Sequence, residues 1–114
     1  MAERAPKPFG LRPDQIRPIA PGYGGCIATD LITGGGRKVG FMYREAPERD
    51  LDSGWRFMSG SETDEYMGDP ANHGVYDVNT IANYDPDIVP FLDAPVGSTF
   101  ERENGTGGFV EVHD

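Results

Sequence analysis

Asp64, Glu65, Asp69 and His73 crowd four polar, ionisable side chains into one short segment. Hard cations want several oxygens on a tight loop, and this segment offers them. A divalent-metal or small-ligand enzyme working through residues 62–73 is therefore one reading. Against it, no calcium-loop spacing is present and the only other histidine is His113, so ordinary solvated acids explain the segment better. Zinc fits worse still, because one cysteine and two scattered histidines do not make a four-ligand set. Asp85 and Asp87 are a carboxylate pair of the kind used in acid–base work. However, Asp85 reads as a helix cap before Pro86, and Asp87 as an acid in the first helical turn. Cys26 lies beside Ile27 in a strand-like run, the setting of an inert buried thiol. No serine has a glycine-flanked elbow. The residues predict no catalytic constellation, no metal and no cofactor.

A second combination is better placed. The stretch Gly54–Met67 holds the single tryptophan, Trp55, with Phe57 and Tyr66 and the carboxylates Glu62, Asp64 and Glu65. Aromatics that anchor and acids that steer are the make-up of a protein-recognition patch. The candidate partner-binding residues are Glu62, Asp64, Glu65, Tyr66 and Asp69, with Tyr76 and Tyr84 as further aromatics. The competing reading, that each tyrosine packs the rim of the core, stays open.

These residues have to be positioned by a single small domain. The 114 residues suffice for one core, and sixteen glycines and ten prolines require short elements and frequent turns. Five prolines within residues 1–22 preclude a stable helix there. That region is either an arm ordered where Phe9, Leu11, Ile16 and Ile19 meet apolar surface, or a flexible tail. Residues 23–114 form the domain. Gly25–Ile32 and Lys38–Arg44 flank Gly34-Gly35-Gly36 and read as an antiparallel hairpin. The glycines are a turn and no phosphate loop, because Lys38-Val39 opens a strand. Trp55–Met58 is a further strand, with Trp55 and Phe57 on the core face and Arg56 exposed or paired with an acid. Ser59–Met67 is a loop or one helical turn, with Ser61 and Asp64 spaced as a capping pair. Asp77 caps a helix running to about Tyr84, and Ile88, Phe91 and Leu92 mark a second, short one. Ser98–Glu103 and Gly108–Val112 flank Asn104-Gly105 as a hairpin. The fold class is α+β: a mostly antiparallel sheet of four to five short strands with one or two short helices on one face.

Net charge is -9, but residues 1–44 carry seven Lys/Arg against three Asp/Glu, and residues 45–114 carry three against sixteen. Such a surface repels phosphate backbones, so nucleic acid is not the partner. It suits a basic protein, or serves solubility alone. No apolar run approaches membrane-span length and no signal region opens the chain, which predicts a cytoplasmic monomer or weak homodimer. With one cysteine, no intrachain disulfide forms.

Lys38-Val-Gly-Phe-Met-Tyr-Arg-Glu45 with Pro47, Asp52-Ser-Gly-Trp-Arg-Phe57 and Asp64-Glu-Tyr-Met67 occur in that order. Tyr76-Asp-Val-Asn-Thr-Ile-Ala-Asn-Tyr-Asp-Pro-Asp87 and Pro90-Phe-Leu-Asp93 follow them. Together these runs resemble the bacterial immunity protein 33-like family over about residues 25–103. The arm 1–22 and the tail after Glu103 lie outside the resemblance. It implies an α+β fold and a non-enzymatic protein that neutralises a toxin domain of a polymorphic toxin system. The resemblance brings no catalytic residues.

Overall fold

Cys26 and Ala28 alternate with Ile27 and give the first strand, β1 (Gly25–Thr29), one fully buried side. The structure is a computed structural model and describes residues 9–102 and 108–112. After Thr29 the chain makes a single helical turn, α1 (Asp30–Thr33), which buries Ile32 and Thr33. The expected strand to Ile32 thus stops at Thr29. Leu31 and Ile32 are adjacent apolar residues that a period-two strand cannot bury on one side, whereas a helical turn draws Ile32 inward.

Five further strands follow: β2 (Phe41–Arg44), β3 (Asp52–Met58), β4 (His73–Asp77), β5 (Thr99–Arg102) and β6 (Phe109–Glu111). They join β1 in one sheet of order β4-β1-β3-β2-β5-β6. Among the described residues only the β1–β3 pairing is parallel; the other four are antiparallel. The sheet is therefore mostly antiparallel, with six strands in place of four to five. The hairpin expected between β1 and β2 does not form. β3 lies between them, pairing with β2 on one side and β1 on the other. The predicted hairpin of the C-terminal strands is present as β5 and β6; its Asn104-Gly105 turn lies outside the described residues.

The register sorts side chains into two faces. Ala28 is level with Phe57 and Met42 with both Phe57 and Phe100, and all four are buried. Trp55 shares this side, fully buried, its ring 6.0 Å from Phe57 and its indole N–H donating to the Leu92 carbonyl at 3.1 Å. Helix α3 (Val78–Tyr84) supplies Val78, Ile81 and Ala82 to the same core. It starts where Asp77 accepts the Asn79 amide hydrogen at 2.8 Å, as the sequence predicts. The second helix is a 3-10 segment, Pro86–Phe91, that buries Ile88. All of these helical segments cover one face of the sheet.

On the other face, Val75, Ile27, Arg56 and Tyr43 form one cross-strand row. Arg56 is 4% exposed. Its Nε donates to Glu45 at 2.6 Å, and Nη1 and Nη2 form a fork onto Asp52 at 2.9 and 2.8 Å. Of the two predicted settings the paired one holds, and the ion pairs are what allow its burial. Gly54, at φ +89°, lets β3 pass close to this loop: a Cβ there would stand 2.1 Å from the Glu45 carbonyl oxygen.

Asp85 closes the opposite side of the core. It is fully buried; Oδ2 accepts from Arg102 at 2.7 Å and from the Val39 amide at 2.9 Å, and Oδ1 caps Asp87 at 3.1 Å. Arg102 lies 4.4 Å from the Phe109 ring centroid and also donates to the Val39 carbonyl. Residues 9–20 run along α3. The Asn83 side chain accepts from the Arg17 amide, and the Asn79 side chain accepts from the amides of Ile19 and Ala20. Two asparagine side chains thus anchor this segment, while Phe9 and Ile19 stay half exposed or nearly so.

Candidate functional site

The acidic segment begins with a turn built around Glu62. Its Oε2 accepts from the Thr29 hydroxyl at 2.5 Å and the Ser59 amide at 2.8 Å, and its Oε1 accepts from the Gly60 amide at 2.9 Å. Burial alone would raise this carboxyl, but the Thr29 hydroxyl and the amides of Ser59, Glu62 and Gly60 together outweigh it and hold Glu62 below its ordinary value. Glu62 therefore fixes the turn from which the helical turn α2 (Asp64–Met67) departs. The cap of α2 is Thr63, whose hydroxyl accepts the Tyr66 amide hydrogen at 3.1 Å. Ser61, the expected cap, instead hydrogen-bonds Ser59. It lies two residues before the N-cap position, too far from the helix to reach the orphan amides.

Asp64 and Glu65 are exposed on α2, where their charge also complements the helix N-terminus. Tyr66 is half-buried. Burial pushes its phenol up and the Asp30 charge adds to this, while the backbone amides of Leu31 and Asp30, donating to its oxygen, oppose the shift. Asp69 is exposed and accepts from the Ala71 amide at 2.9 Å, opening the 3-10 turn Pro70–Asn72. The structure thus places Asp64, Glu65, Tyr66 and Asp69 around one helical turn, with Glu62 behind it. Tyr76 and Tyr84 pack against the core, and the Tyr84 hydroxyl accepts from the Leu11 amide. His73 lies with its Nε2 3.1 Å from the Met67 carbonyl oxygen. Among the described residues no three His, Cys, Asp or Glu side chains gather closely enough to hold a metal ion, and no helix is long and apolar enough to cross a membrane.

Met67 carries α2 onto the uncovered face of the sheet. With Ile27 and Val75 it lines a shallow concavity. Ile27 and Val75 also line a larger cavity of about 500 Å³ together with Leu51, Glu48 and Asp77. On the other side Met67 joins Phe41 and Met58 in a third hollow. The acidic turn therefore sits beside an apolar groove. Sequence reasoning missed the groove, since Leu51 is a lone apolar residue in a polar loop and Val75 begins a short run after a turn.

The carboxylates give this region a defined response to acid. Asp52 is held well below the usual range, first by the Arg56 fork, with burial opposing and the amides of Glu48 and Gly54 assisting. Asp52 and Glu62 both have folded-state values below their unfolded ones. Their stabilisation is full above the unfolded range, about pH 4, and is lost as pH falls through the folded values. The urea midpoint should stay level from about pH 7 to 5.5 and decline below about pH 4.5. Asp52→Asn should flatten that decline; an unchanged slope would remove Asp52 from the account.

Residues 26–113 match the Immunity protein Imm33 domain. The chain belongs to this family. The match runs past Glu103, where the resemblance had been expected to end, so β6 lies within the Imm33 domain and completes its sheet. Neither a curated protein nor a solved structure matches the chain. The acidic turn, the open sheet face and the Arg56 cluster all fall within the Imm33 match, whereas residues 1–25 precede it.

Proposed function

We propose that this Imm33 domain protects a bacterial cell by binding a toxin domain in the cytoplasm and covering its working surface, with no chemistry of its own. The observation that carries the reading is the family match across residues 26–113. The contacting face is the acidic, aromatic one: Asp64, Glu65, Tyr66 and Asp69, with Glu62 holding the turn in place. Sixteen acids against three bases over residues 45–114 support a basic partner surface, since opposite fields raise the encounter rate and favour that partner over acidic ones.

The test is co-expression and affinity measurement with the protein encoded beside this one. Complex formation should rescue growth, and raising salt should slow association. Asp64→Lys with Glu65→Lys should lower the association rate by about tenfold while lowering the melting temperature only slightly, because both side chains are exposed and lose only their interaction with the helix N-terminus. An affinity indifferent to salt and to this double reversal would rule out the acidic face.

A further inference from the structure

The two most exposed large apolar side chains among the described residues are Leu51 at 82% and Val75 at 77%. Isolated exposed aliphatics are ordinary. These two, however, come from different elements and line the same cavity, with half-buried Ile27 as its floor. We infer that this groove receives an apolar side chain of the toxin flanked by lysine or arginine. The inference rests on the immunity reading above and names the part of the surface that anchors the partner.

Charge decides the flanking chemistry. Glu48, Asp52 and Asp77 line the cavity, against Arg49 and Arg56. Arg56 is buried and paired with Asp52 and Glu45, which leaves Glu48 and Asp77 against Arg49 and keeps the rim negative on balance. A second copy of this chain, itself carrying a net charge of -9, meets repulsion at such a rim; a basic surface meets attraction. The volume of about 500 Å³ accommodates a bulky side chain, and a central apolar anchor ringed by steering charges is the usual layout of a binding hot spot. Continuity with the acidic turn through Ile27, Val75 and Met67 makes one surface of the two.

The experiment titrates isotope-labelled protein with two short synthetic peptides, each with a central leucine, one flanked by lysines and the other by aspartates. The expected result is amide shift changes at Ile27, Leu51 and Val75 with the lysine peptide only. Leu51→Ser with Val75→Ser should weaken that binding at least about tenfold, and Glu48→Lys should weaken it as well. Responses to both peptides alike, to neither, or only outside the groove overturn the inference. So does a concentration-dependent shift of the same amides without peptide, which identifies a second copy as the occupant. The double serine variant then enters the growth-rescue assay with the neighbouring toxin, its melting temperature checked first. Rescue by wild type but not by the variant supports the groove. Equal rescue discards the groove and leaves the immunity reading standing, while no rescue by wild type discards both. If the variant does not fold, the wild-type peptide map alone decides.

Discussion

Asp85→Ala is expected to cost about 3–5 kcal/mol of unfolding free energy, a large part of the 5–15 kcal/mol that holds a typical domain together. The reason is the company the carboxylate keeps. Arg102 has a side chain only 4% exposed and Asp85 has none exposed, so removing the acid takes away the buried partner of a buried guanidinium and leaves it the half-exposed Asp87 at 3.1 Å. The Val39 amide also loses its acceptor, and the segment Pro86–Phe91 loses its cap. Urea unfolding followed by far-ultraviolet circular dichroism measures the loss. Asp85→Asn, which keeps the cap geometry, should cost less. Replacing the pair together, Asp85→Leu with Arg102→Met, should recover part of the deficit because the buried guanidinium is then removed along with its buried acid. A loss under about 1 kcal/mol for Asp85→Ala would mean that the pair is as weak as a surface one.

Trp55→Ala should cost a similar amount, about 3–5 kcal/mol, through a different mechanism. The indole is fully buried between Phe57 and Phe100, at centroid distances of 6.0 and 6.3 Å, and neighbours in a β-sheet core cannot collapse far into the void. Trp55→Phe separates packing from hydrogen bonding. It keeps most of the buried surface but leaves the Leu92 carbonyl without its donor, a loss of about 1–3 kcal/mol. Equal losses in the two variants would show that the hydrogen bond, not the ring volume, dominates.

What could be read from the sequence divides by distance along the chain. The cap at Asp77 and the helix to Tyr84 were legible because the capping acid and the apolar spacing lie within one short segment. The inward Trp55 and Phe57 were legible from strand alternation. Asp85 was legible only as a local cap, since its stronger partner, Arg102, arrives with β5. The parallel pairing of β1 with β3 was not legible, because a glycine-rich turn after β1 signals a local hairpin and nothing nearby reports that β3 takes the intervening place. The candidate face follows the same rule. Asp64 and Glu65 read as exposed acids and are exposed. Glu62 belongs to the same acidic run but is held by Thr29 across the fold. The groove depends on Leu51 meeting Val75 in space, which no spacing announces.

The buried Arg102–Asp85 pair also sets a timetable. A ribosome adding roughly 5–20 residues per second takes about 1–3 s to pass from Asp85 to Arg102. Until it emerges, Asp85 has no guanidinium and β2 has no neighbour on its β5 side. A chain stopped before Thr99 thus carries every acid of the candidate face but lacks β5 and β6, the strands that complete the sheet beneath it. On the proposed immunity reading, protection therefore waits on β5 and β6, not on the acidic turn itself.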